Sequence, residues 1–217
     1  MEVLSSVPLF PLPNVVLFPR AVLPLHIFEE RYKDMTADAL AGPRLVAMAL
    51  LRPGWETQYY ARAPVHPVVC VGRILTHEKL RDGKYNFLLQ GQVRARIVRE
   101  HCGRSYRQVE LEELPRPPFL EIDVYEYRQR LVELFTQGGL GVLPIAGQVR
   151  QMLAGPMNTV DVGDLIAYNL LDDIALKQSL LAEPDARARL AGLLRALEAL
   201  APAARCGAMG YANASVN

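Results

Sequence analysis

Short apolar runs interrupted by prolines open the chain. The runs cover residues 7–10, 14–18 and 21–25, with Pro8, Pro11, Pro13, Pro19 and Pro24 in and around them. Proline fixes φ and lacks the N–H that a strand ladder uses, so neither a long helix nor a central strand is expected here. The pattern predicts short buried strands separated by proline-set turns.

The apolar spacing changes to three and four residues over 26–41. Tyr32, Met35 and Ala39 share one side of this segment, and charged residues stand between them. The spacing predicts an amphipathic helix over 26–41 that ends at Gly42.

Strand-like segments follow, and an Asp-Gly turn at Asp82 and Gly83 predicts a hairpin between two of them. The predicted strands are Arg44–Leu51, Val68–Leu75, Tyr85–Arg99 and Tyr106–Leu114. Alternation in the third of these predicts a solvated face. That face would carry Gln90, Gln92, Arg94 and Arg96, with Leu89, Val93, Ala95 and Ile97 on the buried face.

Helical spacing dominates after the proline cluster at residues 115–118. The predicted helices are Ile122–Phe135, Val142–Leu153, Asp161–Leu171, Ile174–Leu181 and Asp185–Leu200. The last one carries a leucine stripe that should be buried, with Arg187, Arg189 and Arg195 on its outer face. Residues 201–217 lack periodicity and are predicted to form a flexible tail. The pattern therefore predicts an α+β protein with a β-rich part over 1–118 and a helical part over 119–200.

Composition and charge exclude some classes of function. The 217 residues carry 24 Lys and Arg against 23 Asp and Glu, a formal net charge of +1. A protein held on nucleic acid by bulk charge is usually more basic. No apolar stretch is long enough to span a membrane, and the N-terminus does not resemble a signal peptide. The three cysteines form no CxxC pair, which is typical of reduced thiols and favours a cytoplasmic protein.

Catalytic motifs are absent from the sequence. It contains no GxxxxGK[ST], GxSxG, HExxH or GxGxxG pattern. His101 and Cys102 are neighbours, but adjacent residues of a strand point to opposite faces. Asp172 and Asp173 are interpreted as the start of a helix rather than a metal site. We therefore expect no catalytic residue, no metal and no cofactor.

Several motifs together resemble one known family. The opening LFPLPNVVLFP of residues 9–19 and LPLHIFEERY of residues 23–32 resemble the start of the Lon-protease N-terminal (substrate-binding) domain. Residues 71–74, 82–86 and 89–97 resemble the core of that family, and residues 177–181 and 189–190 resemble its helical close, with Ala182 in place of an acidic residue. The resemblance covers about residues 7 to 200.

This resemblance implies a PUA-like pseudo-β-barrel followed by a C-terminal α-helical bundle. It also implies that ATPase and peptidase modules, which follow this domain in Lon proteases, are missing from the sequence. We therefore expect a free-standing, non-catalytic recognition module, with any ATP-dependent protease label inherited from the family name.

The leading functional hypothesis is binding of peptide or unfolded-protein segments, with an adaptor role as one form of it. An extended peptide could add a strand or bury an apolar residue beside the proline-rich entry. The candidate contact residues are Phe28, Glu29, Glu30, Arg31 and Tyr32. The purely structural alternative is that Phe28 and Tyr32, four residues apart on a helix, both face the core.

RNA binding is the alternative function, because PUA-like barrels also occur in RNA-binding proteins. Its phosphate contacts would be Arg73, Arg94 and Arg96. The near-neutral charge argues against it, since affinity for a nucleic-acid backbone grows with the number of phosphates neutralised. A small-molecule site is disfavoured because the chain has a single tryptophan, Trp55, and no CxxC pair.

Overall fold

The computed structural model describes residues 3–58 and 62–205. The strands are β1 Val3–Leu12, β2 Val22–Ile27, β3 Leu45–Leu50, β4 Val68–Lys79, β5 Tyr85–His101 and β6 Arg107–Glu113. The helices are α1 Glu30–Ala41, α2 Tyr125–Thr136, α3 Ala146–Ala154, α4 Thr159–Leu170, α5 Ile174–Ala182 and α6 Ala186–Arg205. Short 3-10 turns lie at Trp55–Gln58, Glu121–Val124 and Gly139–Val142. The α+β class predicted from the sequence is confirmed.

The chain divides into two compact units. Of the described residues, the first unit contains 3–58, 62–115 and 173–182, and the second contains 116–172 and 183–205. The sequence pattern places the helix at 174–181 in the helical part, whereas the structure groups α5 with the strands. No helix within the described ranges has the length and apolar character needed to cross a lipid bilayer.

The six strands form one sheet in the order β2-β5-β4-β3-β1-β6. The long strand β5 also pairs with β6, so that β5, β4, β3, β1 and β6 close on themselves. Among the strands of the described residues, only β1 and β3 pair in parallel. Strand β2 stays outside this closed ring and pairs with the first part of β5 alone, from Val22 opposite Gln90 to Ile27 opposite Tyr85. It is therefore the outermost strand.

Strand β1 corrects the expectation that prolines exclude a central strand. It runs unbroken through Pro8 and Pro11 between β3 and β6. Its pairing with β3 covers residues 9–12, and its pairing with β6 covers residues 3–9. Each proline thus lies where β1 has one partner only, so its missing N–H can point to the unpaired side.

Strand β2 is positioned by a close crossing at Gly91. The Arg20 N–H donates to the Gly91 carbonyl at 2.8 Å, and the Gly91 N–H donates to the Ala21 carbonyl at 2.9 Å. A Cβ at position 91 would lie 2.0 Å from the Phe18 carbonyl oxygen. Glycine is therefore required for the chain to pass this close to β5.

The helix predicted over 26–41 begins later than expected. His26 and Ile27 belong to β2, and α1 starts at Glu30. The buried side of α1 contains Tyr32, Met35 and Ala39, as the spacing predicted. Residues 26 and 27 belong to the strand because they continue the alternating burial of β2 and pair with Asn86 and Tyr85 of β5.

Helix α5 packs on β4 within the first unit. The buried Gln178 donates from Nε2 to the Val68 carbonyl at 2.9 Å. Arg94 donates from Nη1 to the Leu181 carbonyl at 3.2 Å and is only 3% exposed. The prediction that Arg94 belongs to a solvated strand face is therefore wrong, because a helix terminus covers this part of β5.

The second unit buries the predicted leucine stripe of α6. Its leucines Leu190, Leu193, Leu194 and Leu197 are buried, whereas Leu200, the last leucine of the predicted stripe, is half-buried. Arg187 and Arg195 are exposed as expected. Arg189 is buried instead, with its Nε 3.0 Å from Oδ1 of Asp164. The predicted outer position of Arg189 is wrong. Helix α6 also continues to Arg205, so that residues 201–205 are helical; residues 206–217 of the predicted tail lie outside the described residues.

Candidate functional site

An apolar surface lies on the outward side of β2, β5 and β4. On β2, alternation buries Leu23, Leu25 and Ile27 and exposes the residues between them. In the register, Pro24 lies opposite Leu88, and Leu88 lies opposite Thr76 beside a bulge at Leu75. We call the set Val22, Pro24, Phe28, Leu75 and Leu88 the apolar sheet face.

The side chains of this surface are open to solvent. The exposed fractions are 40% for Val22, 42% for Leu75, 38% for Leu88 and 53% for Phe28. Phe28 follows β2 directly and its ring lies 6.2 Å from that of His26, which also faces outward. The His26 Nδ1 is 2.7 Å from Oδ1 of Asn86, and in the β2–β5 register this polar pair lies between Phe28 and the Pro24–Leu88 pair. A group of exposed apolar side chains on a folded surface is typical of a binding site.

The backbone of β2 offers hydrogen-bonding groups beside this face. Residues of an antiparallel pair alternate between exchanging hydrogen bonds with the partner and pointing them away from it. Pro24 has no N–H, so it must lie at a position that points away from β5. Val22 and His26 lie two residues before and after Pro24, so their backbone N–H and C=O groups also point away from β5. No backbone hydrogen bond joins this outer edge to another segment of the described chain.

The structure separates the five candidate contact residues predicted from the sequence. Phe28 lies on the apolar sheet face, whereas Tyr32 is buried with its ring 4.5 Å from that of Phe10. The alternative that both side chains face the core is therefore right for Tyr32 and wrong for Phe28.

The three charged candidates make local ion pairs at the start of α1. The Arg31 side chain lies over the Tyr32 ring, with Nη2 2.9 Å from Oε2 of Glu29. Glu30 is exposed and pairs with Lys33 at 2.8 Å. Glu29, Glu30 and Arg31 therefore follow the apolar sheet face directly in sequence, and their charges are paired locally.

The three arginines predicted for RNA contact do not converge either. Arg94 is buried, as described above, whereas Arg73 and Arg96 are exposed. In the β4–β5 register Arg96 lies opposite Val68, five residues from Arg73 along β4. At about 3.3 Å per residue this separates the two backbones by about 17 Å. The geometry does not assemble a basic patch from these three residues.

Within the described ranges, no cluster of three or more His, Cys, Asp or Glu side chains could hold a metal ion. Cys70 is buried and Cys102 is exposed, both as free thiols, and Cys206 lies outside the described residues.

Sequence reasoning missed most of the apolar sheet face. Leu75 and Leu88 come from strands that the pattern predicted, but their exposure depends on the bulge in β4 and on the register with β5. Residues 22–27 alternate in burial, but Val22 and Pro24 are as apolar as their buried neighbours, so the sequence carries no signal that separates the two faces.

The fold defines the class of protein: an α+β protein with a closed sheet, an additional edge strand and a separate helical unit. A family model described as the ATP-dependent protease La (LON) substrate-binding domain matches residues 6–199. The chain belongs to this family of Lon substrate-binding domains.

Relatives and solved structures agree with this assignment. The chain is 30% identical over 193 residues to the Lon protease of Trichlorobacter lovleyi, with 88% of this chain and 23% of that protein covered. It is 25% identical over 192 residues to the Lon protease of Dictyoglomus thermophilum, covering 87% of this chain and 24% of that protein. The chain thus spans about a quarter of the length of these relatives.

Two solved structures share the fold. The N-terminal domain of Mycobacterium avium complex Lon protease superposes with a TM-score of 0.67 at 19% identity, covering 88% of this chain and 97% of that one. A Lon N-terminal domain protein from Xanthomonas campestris superposes with a TM-score of 0.64 at 24% identity, covering 88% and 98%. At these identities the likeness shows the fold alone.

Proposed function

We propose that this protein is a non-catalytic recognition module that binds extended peptide or unfolded-protein segments. The observation that carries the proposal is the combination of an open strand edge on β2 with an apolar face beside it. Main-chain hydrogen bonds to such an edge give affinity without regard to sequence, and apolar contacts select for segments that folded proteins keep buried. Family membership supports a role in substrate recognition.

The binding mode follows from the groups on the edge of β2. An added strand can exchange hydrogen bonds with the N–H and C=O of Val22 and of His26, and can donate to the C=O of Pro24. Every second side chain of the added strand would then lie on the side of Val22, Pro24 and Phe28. Apolar residues at alternate positions of the peptide are therefore the expected preference.

An adaptor role is the form of this function that we favour, because binding is the only chemistry that the described site offers. The protein would deliver a bound segment without hydrolysing it. A cytoplasmic location, where thiols are kept reduced, fits the cysteine content. RNA binding is not proposed, since the geometry does not bring its three candidate arginines together.

Binding of a labelled, unstructured peptide with alternating apolar residues tests the proposal. Replacing Phe28 or Leu88 with Ser removes apolar contact area, and each variant is expected to weaken binding by about fivefold, equivalent to about 1 kcal/mol. Fluorescence anisotropy of the peptide measures the dissociation constants. Because both side chains are exposed, the thermal unfolding transitions of the two variants should match that of the unmodified protein.

Val98 provides the matched control. It is an apolar residue of β5 that is 56% exposed but lies outside the apolar sheet face. Val98→Ser should leave peptide affinity unchanged. Equal weakening by Val98→Ser and Phe28→Ser, or no measurable binding of any such peptide, would contradict the proposed function.

A further inference from the structure

A second concave site lies in the first unit and is lined by four arginines. The cavity has a volume of about 260 Å³ and lies between β1, the start of α1 and the segment that leads into β6. Its cationic lining residues are Arg31, Arg62, Arg104 and Arg107, and no Asp or Glu of the described chain is part of the lining. We call this cavity the arginine cleft.

Carboxylates outside the lining hold these arginines in place. Arg107 donates two N–H groups to the Glu100 carboxylate and a third to the Ala63 carbonyl at 2.7 Å. Arg62 Nη1 lies 3.7 Å from the same carboxylate of Glu100. Arg104 Nη1 lies 3.4 Å from Oδ2 of Asp38. A guanidinium has five N–H donors and a carboxylate engages two of them at most, so an orienting partner leaves donors for a ligand.

The loop that carries Arg104 is fixed to α1 by short hydrogen bonds. The Ser105 hydroxyl donates to Asp34 at 2.7 Å, and the Tyr106 hydroxyl donates to Asp38 at 2.7 Å. The cleft is therefore organised before any ligand arrives, which reduces the entropy lost on binding.

Apolar residues form part of the remaining lining. They include Leu9, Pro11, Leu51 and Ala63, all of them buried residues. Guanidinium groups prefer planar oxyanions such as carboxylates, whereas the apolar lining favours a hydrocarbon group next to the anion. A free C-terminal residue with an apolar side chain combines these two features.

The arginine cleft also lies close to the end of the apolar sheet face. Phe28 belongs to that face and Arg31 lines the cleft, and two residues, Glu29 and Glu30, lie between them in the sequence. The Cα atoms of Phe28 and Arg31 are therefore at most about 11 Å apart. A peptide that pairs with β2 in parallel orientation and continues past Phe28 for three or four residues would bring its C-terminus to this region.

We propose that the arginine cleft captures the C-terminal carboxylate of a peptide whose preceding residues pair with β2. This inference rests on the proposed peptide-binding function and adds a specificity to it. The protein would then prefer segments at the ends of polypeptides over internal segments of the same sequence.

Two forms of one peptide test the inference on the full chain. The first has a free C-terminal carboxylate and the second a C-terminal amide, with an apolar last residue in both. The amide is expected to bind at least tenfold more weakly. Arg104→Gln should weaken binding of the free acid by about fivefold or more and leave the amide unchanged. The side chain of Arg104 is 58% exposed, so this variant should fold normally. Arg81→Gln, at an exposed turn, is the matched control and should leave the affinity for both peptides unchanged.

Several outcomes separate this inference from the proposed function. Equal affinity for acid and amide, with both still weakened by Phe28→Ser, would overturn C-terminal capture and leave peptide binding intact. Absence of binding for both peptides would contradict the proposed function itself.

Inorganic phosphate serves as the small-anion probe of the arginine cleft. Displacement of the acid by phosphate, with no effect on the amide, supports the inference. Phosphate binding that is lost in Arg104→Gln, with acid and amide equal, would instead assign the cleft to a phosphorylated small molecule and overturn it.

Discussion

Single residues decide how reliably a helical face can be predicted, and Arg189 is the clearest case. Its place next to the leucine stripe of α6 suggested an exposed position. The structure buries it beside Asp164, with the two side chains 8% and 5% exposed, and Nη1 also donates to the Glu183 carbonyl at 2.8 Å. A sequence shows the charge of Arg189 but not the presence of a carboxylate on α4 that makes its burial tolerable.

Removing Arg189 should therefore be costly. Arg189→Ala leaves the Asp164 carboxylate buried without its cation, which is expected to cost about 3–5 kcal/mol in the free energy of unfolding. Urea denaturation measures this loss. Arg187→Ala is the matched control, because Arg187 lies on the same helix and pairs with Asp123 at 3.2 Å but is 58% exposed; it should cost at most about 1 kcal/mol. Equal, small losses for the two variants would show that the buried pair does not stabilise the second unit.

Tyr106 provides a prediction about pH. Burial, followed by its hydrogen bond to Asp38, raises the pKa of Tyr106 to about 12. A pKa raised above the ordinary value of about 10 means that the folded state favours the neutral phenol, so the stabilisation is complete below about pH 10 and is lost as the pH rises towards 12. Tyr106→Phe should remove part of this alkaline loss of stability, measured as the change in urea midpoint between about pH 9 and pH 11. Burial also raises the pKa of Tyr168, so some alkaline dependence should persist. An unchanged pH dependence in Tyr106→Phe would contradict the assignment.

At the scale of elements, periodicity predicted most helices and strands. It failed where pairing between strands determines the bounds or the continuity of an element. Helices α4 and α5 lie within two residues of their predicted bounds, whereas α3 begins four residues later than predicted and α6 ends five residues later. Strand β1 could not be predicted as a continuous strand, because Pro8 and Pro11 are tolerated only through the partial overlap of its two partners. The start of α1 was misplaced because residues 26 and 27 satisfy both a helical and a strand period, and pairing with β5 selects the strand.

The candidate site depends on pairing even more strongly. Phe28 was predicted as a contact residue, but the residues that surround it come from three strands. Leu88 and Leu75 meet Pro24 only through the β2–β5 and β4–β5 registers. A single sequence does not specify register between strands that lie far apart along the chain. The apolar sheet face was therefore beyond prediction, as was the arginine cleft, whose residues are brought together by other long-range pairings such as that of Leu9 with Arg107 between β1 and β6.

At the scale of the whole molecule, the order of elements along the chain differs from their grouping in space. Helix α5 is followed and preceded in sequence by segments of the second unit, yet it packs on β4 of the first unit. Two contacts fix it there, from Gln178 to the Val68 carbonyl and from Arg94 to the Leu181 carbonyl. A cut after the proline cluster at 115–118 would therefore not release a complete barrel.

A fragment of residues 1–118 tests this consequence. Without α5 the fragment loses the hydrogen bonds to the Val68 carbonyl and from Arg94, each worth about 0.5–1.5 kcal/mol, and it loses the burial of Leu180 and Leu181. Burial of one leucine side chain contributes about 1.5–3 kcal/mol, so the total loss is a large share of the roughly 5–15 kcal/mol that stabilises a typical domain. Trp55 is the only tryptophan and belongs to the first unit, so its fluorescence in a urea titration reports the unfolding of that unit. The control joins residues 1–115 to residues 173–182 through a long Gly/Ser linker, which restores α5 without the second unit. The linked protein should unfold at a clearly higher urea concentration than the 1–118 fragment, and equal midpoints would show that α5 contributes nothing to the stability of the barrel.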